Sequence, residues 1–216
     1  MEDNKNNQKV SASDVQKNMI NAFEWVQGIY DESIKLLKDT VKYFQDDKRI
    51  LMVKNPPIEE LGGGCPYTYM LASYLAVGSD KIKTDKIGVI GVSLVDKNNR
   101  PFPRIVLGSI KLKESMNIET WQKKKKSGWR AQYLLLDCIH SEKFDEENVF
   151  IKPTKIKGTV CGNKVVSESF THVPLASINN LETLYYLLDE ATLFFQEGEE
   201  PEKLISIITE LRDKAI

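Results

Sequence analysis

Nine apolar residues, Val15, Met19, Phe23, Val26, Tyr30, Ile34, Leu37, Val41 and Phe44, follow one another at steps of three and four. That spacing matches the helical period and draws one apolar stripe along one face. It predicts a helix over 14–46, with Ser13 and Gln16 at capping-box spacing. At 1.5 Å per residue such a helix is about 50 Å long. A chain of this length has a radius of gyration of roughly 17 Å, so a helix this long is expected to outrun its own body. Gly28 falls in the middle, where it weakens the helix relative to alanine and can mark a bend.

The elements downstream are shorter. Arg49–Lys54 is apolar and stops at Asn55-Pro56-Pro57, as a short strand or a last helical turn would. Tyr67, Met70, Leu71, Tyr74 and Leu75 are spaced as on a helix, with Pro66 suited to its start and Gly78 to its stop. Ile87–Val95 and Arg104–Leu112 read as a hairpin around Lys97–Pro101. Asn117 caps an expected short helix that Ser127-Gly128 ends, and Ala131–Ile139 reads as a buried strand. Thr154–Cys161 and Lys164–Phe170 flank Gly162-Asn163, a tight-turn dipeptide. Asn180 caps a helix closed by Gly198, and Pro201 opens a last one.

This order predicts an α+β fold: a mostly antiparallel five-stranded sheet with a long N-terminal helix and two C-terminal helices packed on it. Residues 1–10 are expected to be a disordered tail. Residues 11–216 are expected to be a single domain, with the sheet region over 86–172 and the C-terminal helices over 180–197 and 201–214.

Apolar residues are 41% of the chain and charged residues 28%, enough for a core, and the net charge is −1. That balance argues against a surface uniformly suited to nucleic acid or membrane. No apolar run reaches the roughly 20 residues of a membrane span, and Met1–Lys9 lacks the apolar centre of a signal peptide. The three cysteines, Cys65, Cys138 and Cys161, are unpaired in number and spacing. A reducing, cytoplasmic setting is expected, with no membrane partner.

The near-zero total hides a segregated pattern. Between Lys81 and Arg130 stand thirteen Lys and Arg against four Asp and Glu. Acidic clusters follow at Glu142–Glu147 and Glu197–Glu202. A basic patch of Lys111, Lys113, Trp121, Lys123, Lys124, Lys125, Lys126, Trp129 and Arg130 is one candidate interaction site. Its lysines suit phosphates and its tryptophans can stack on bases, while a solvated helix end accounts for the same residues.

Gly62, Gly63, Gly64 and Cys65, ahead of the helix expected at Pro66, are a candidate anion or ligand site. Backbone N–H groups and a helix dipole favour an anion there and a thiolate on Cys65. The loop is not a phosphate-binding P-loop, because no Gly-Lys-Ser/Thr follows. Cys138, His140, Cys161 and His172 match no usual zinc spacing, so neither metal nor cofactor is expected.

No catalytic set emerges. The leading expectation is a non-catalytic protein-interaction module, an adaptor, regulator or accessory subunit with another protein as partner. The alternatives are a nucleic-acid-binding accessory protein using the 111–130 segment, or a small-molecule sensor or enzyme built on the Gly62–Pro66 loop. The nucleic-acid alternative predicts binding that weakens steeply with salt, and equally for all sequences when Lys123–Lys126 become alanine. A gel-shift series with no complex at low salt removes it.

Overall fold

The structure is a computed structural model that describes residues 11–45, 50–52, 59–62, 68–78, 82–94, 103–119, 149–152, 159–160, 163–198 and 200–214. Helix α1 spans Ala12–Gln45. Its cap is Ser11 rather than Ser13. The Ser11 hydroxyl accepts the Asp14 amide at 3.1 Å and donates to the Asp14 carboxylate at 2.7 Å. The Val15 amide donates to the Ser11 carbonyl. Asp14 holds the third position expected of Gln16, two residues earlier, and its carboxylate accepts the Ser11 hydroxyl.

Seven strands are described: β1 (Ile50–Met52), β2 (Glu59–Gly62), β3 (Thr68–Val77), β4 (Lys83–Ser93), β5 (Arg104–Asn117), β6 (Thr159–Val160) and β7 (Asn163–Pro174). They run β1-β3-β4-β5-β7-β6, with β2 also paired to β3, and every pairing is antiparallel. Two helices follow, α2 (Leu181–Glu197) and α3 (Glu202–Asp213). The α+β class, the antiparallel sheet and the three helices, one of them long and N-terminal, are as expected. The strand count is not five, since four long strands carry the sheet and three short ones edge it.

One excess strand comes from a misread period. The segment expected as a helix from Pro66 is β3, hydrogen-bonded to β4 along its length. Leu75, Ala76 and Val77 are all buried, so both faces of this strand are covered at that end. A strand apolar on both faces shows no alternation, and its residues satisfy helical spacing by chance. β5 runs on to Asn117, paired with Lys83, and Ile118 and Glu119 directly after it are helical, where the sequence places the start of a short helix. Asn163 pairs with Val160 and belongs to β7, one residue off the expected turn. The strand expected over 131–139 lies outside the described residues.

The α2 signals held. The Asn180 side chain accepts the Thr183 amide at 2.8 Å, and Gly198 closes the helix at φ 72°. The Lys86 ammonium donates to the Gln196 carbonyl, placing positive charge on the helix C-terminus.

On one sheet face Leu75, Val77, Ile90, Val92, Ile105, Leu107 and Val173 meet the apolar sides of α1, α2 and α3. Phe195 of α2 lies over Gly88, where an added Cβ would come within 3.0 Å of its ring. On the other face Ile87, Val89, Val106 and Ile110 are buried. There the Phe170 ring crosses Gly108, and a Cβ on Gly108 would sit 2.4 Å from it.

The stripe on α1 is split. Leu37 and Phe44 are fully buried, and α1 packs mainly on β1, β3 and β4 while touching α2. The first half of α1 lies beyond this packing, as expected of a helix that outruns its body. Leu37→Ala is expected to lower stability by about 2–5 kcal/mol in urea denaturation, as for a fully buried leucine. Gly108→Ala is expected to cost about 1–3 kcal/mol by overpacking against Phe170. A change under about half a kcal/mol in either variant contradicts this packing.

Candidate interaction surface

Helix α1 has 34 residues and is about 51 Å long. Its last half is anchored. The Tyr43 hydroxyl donates to the Asp189 carboxylate, and the Tyr43 ring stacks on Tyr185 at 5.0 Å. Phe44 reaches Phe195 at 6.1 Å between ring centres. Burial along α1 begins at half-buried Val26, continues at Ile29 and Tyr30, both half-buried, and is complete at Ser33.

The first half stands in water. From Ser13 to Gly28 every residue is exposed except half-buried Val26. Val15 is 47% exposed, Met19 56%, Ile20 50%, Phe23 58% and Trp25 62%. Val15, Met19 and Phe23 continue the buried stripe without a break in phase, and Ile20 and Trp25 lie to either side of it. Taking about 150–250 Å² for a fully buried aromatic as the scale, they leave roughly 500 Å² of apolar side chain in solvent. The largest apolar patch on a monomer is typically about 300–600 Å² and is often functional, and this one falls in that range. Lys17, Glu24 and Asp31, seven residues apart, place their charges on the opposite side of the helix.

At the base of this overhang lies an open groove of about 370 Å³. Leu36 of α1 faces Leu175, Ile178, Leu181 and Leu184 across it. Leu181 is 52% exposed and lies in the first turn of α2. The groove adds apolar wall to the same end of the molecule.

The sites marked in the sequence are placed unevenly. Lys111 and Lys113 are exposed on β5, and Lys111 sits in register between Lys86 and Ser167. Trp121, Lys123, Lys124, Lys125, Lys126, Trp129 and Arg130 lie outside the described residues. Gly62 ends β2, paired with Thr68. Gly63, Gly64 and Cys65 lie outside the described residues, and the element after them is β3, so the helix-dipole argument for an anion does not apply there. Trp25 was not marked: it lies beside the stripe rather than on it, and its only signal is that Phe23, Trp25 and Val26 cluster within four residues.

His172 is buried on β7, four residues from buried Glu168 on the same face. Cys138, His140 and Cys161, considered with it as ligands, lie outside the described residues. Among the described residues no group of His, Cys, Asp or Glu is arranged to hold a metal. The Arg212 guanidinium donates to the His172 carbonyl at 3.2 Å, tying α3 to the sheet. Burial, then the charges of Arg212 and Arg104, pull the imidazole pKa from 6.5 down to about 2. The imidazole is therefore neutral and structural at ordinary pH.

Among the described residues no helix is long and apolar enough to cross a membrane. No family model, no curated protein and no solved structure matches the chain.

The depressed pKa of His172 has a stability consequence. Between pH 6.5 and about 2 the unfolded chain holds a proton that the folded chain does not. Stability from this group is thus full above pH 6.5 and falls below it by about 1.4 kcal/mol per pH unit. His172→Gln is expected to flatten the dependence between pH 6.5 and 5 by that amount, measured as unfolding free energy against pH. Equal slopes for variant and parent contradict a neutral buried imidazole.

Proposed function

We propose that this chain is a non-catalytic interaction module that binds another polypeptide through the first half of α1. One observation carries the reading: the apolar stripe that anchors α1 to its sheet continues, in phase, from half-buried Val26 through Phe23, Met19 and Val15, which are exposed.

Two physical arguments support it. The first half of α1 lacks the packing of an apolar face from which most helix stability in proteins comes. Exposed apolar area also costs about 25 cal/mol per Å², which an apposed surface recovers. A partner helix laid along α1 answers both, in the helix-against-apolar-face mode of recognition. A role as adaptor, regulator or accessory subunit in the cytoplasm goes with this reading. The nucleic-acid alternative keeps its motive in Lys123–Lys126, and the small-molecule alternative keeps the Gly62–Pro66 loop without its helix.

The test is a photo-crosslinking amino acid placed at Phe23, with a control at Lys17 on the opposite side of the helix, in the native host. A polypeptide adduct is expected from position 23, reduced at least about tenfold by Met19→Glu, the loss of one well-packed anchor. Equal labelling from positions 17 and 23, or none from either, sinks the reading.

A further inference from the structure

We infer that the occupant of the exposed α1 face is the same face of a second copy of this chain. The two helices pack antiparallel about a two-fold axis crossing α1 between Ile20 and Asn21. This rests on the reading that the overhang binds a polypeptide, and it names that polypeptide.

The first observation is the spacing. Val15, Met19, Ala22 and Val26 are separated by four, three and four residues, the seam of a coiled coil. The series reads the same in both directions. An antiparallel match about its centre therefore sets Val15 against Val26 of the second copy and Met19 against its Ala22. Large meets small at the middle of the seam, which is how facing layers fill space.

The second observation is the length of the overhang, independent of residue type at the seam. The helix starts at Ala12, and beyond half-buried Val26 continuous burial starts at Ile29. In the same alignment Ala12 of one copy lies opposite Ile29 of the other. Each helix tip reaches the other body and stops there, so the free length is fully used. A parallel match would instead crowd both bodies at one end. The antiparallel one brings each helix N-terminus towards Glu32 at the base of the other, the favourable sense for the dipole.

The third observation is charge. The residues beside the seam, Gln16, Asn18, Phe23 and Trp25, are uncharged. A strongly acidic or basic partner would find no complement there, whereas a second copy meets no like charge. The area also suffices. Roughly 500 Å² from each copy gives about 1,000 Å² in total, the lower bound of a specific interface.

The experiment is light scattering with size exclusion on the full chain up to about 100 µM, the range that exposes a micromolar dissociation constant. A mass of two chains is expected. Met19→Glu and Ala22→Lys each weaken the dimer at least about tenfold, since each buries a charge in the seam. The double variant recovers dimer relative to either single, because the two-fold sets the acid of Met19→Glu against the amine of Ala22→Lys on the other copy twice. The thermal midpoint of the body is unchanged in all three, which separates lost pairing from lost folding.

A chain monomeric throughout this range overturns the inference, as does a dimer indifferent to both single variants. A double variant weaker than either single overturns the antiparallel arrangement. A monomer that still crosslinks a different polypeptide from position 23 rejects self-pairing and leaves the interaction reading standing. A monomer with no adduct rejects both.

Discussion

The anchoring of α1 decides the shape of the molecule. Phe44 sits against Phe195, and Tyr43 is held by both Asp189 and Tyr185. These contacts bind the last turns of α1 to α2, while Leu37 joins the core cluster with the sheet. A helix is stiff over its length, so fixing its last four turns fixes where the first four point. The overhang is thus a direct result of aromatic packing some 30 Å away along the axis, by the rise of 1.5 Å per residue. Loosening Phe44 would blur the direction of the exposed face without touching a residue of it.

The sheet contributes the rigid side of that anchor, and two close approaches set its spacing. Gly88 lets the Phe195 ring lie on β4, and Gly108 lets the Phe170 ring cross β5. Phe195 is also the ring that Phe44 meets. The chain of contact therefore runs from a glycine in the middle of the sheet, through α2, to the end of α1. Interiors at this packing density transmit such displacements rather than absorbing them.

Legibility in the sequence followed the number of environments each segment faces. α2 has one core side, one solvent side and local caps, and Asn180 and Gly198 marked its ends to the residue. α1 was also legible in extent, because its stripe keeps one phase for eight turns. β3 was not, because near its end both faces are buried and alternation is lost. The strand order was hidden for a different reason: β1 and β2 share one edge of β3, a placement set by long-range pairing that no local pattern records. The exposed half of α1 was legible only as an excess of length, since a stripe looks the same whether a sheet covers it or water does. The sites marked on the glycine loop and the lysine run were read from composition. Only Gly62, Lys111 and Lys113 of them fall on described strands.

The two halves of the α1 stripe differ in a way that runs against solvation. The buried half carries hydroxyls at core-facing positions: Ser33 is fully buried, its hydroxyl donating to the Ile29 carbonyl at 2.7 Å, and Thr40 is buried beside the core. The exposed half carries none; its seam is Val15, Met19, Ala22 and Val26. Were water the permanent surroundings of the first half, polar residues there would cost nothing and would improve solubility. Were the second half selected for burial alone, apolar residues would replace Ser33 and Thr40. The more apolar seam thus lies on the half that the chain's own body does not cover. That arrangement is consistent when the first half is an interface and the second a joint, with hydroxyls tolerated where neighbours are fixed and excluded where two surfaces must find each other from solution.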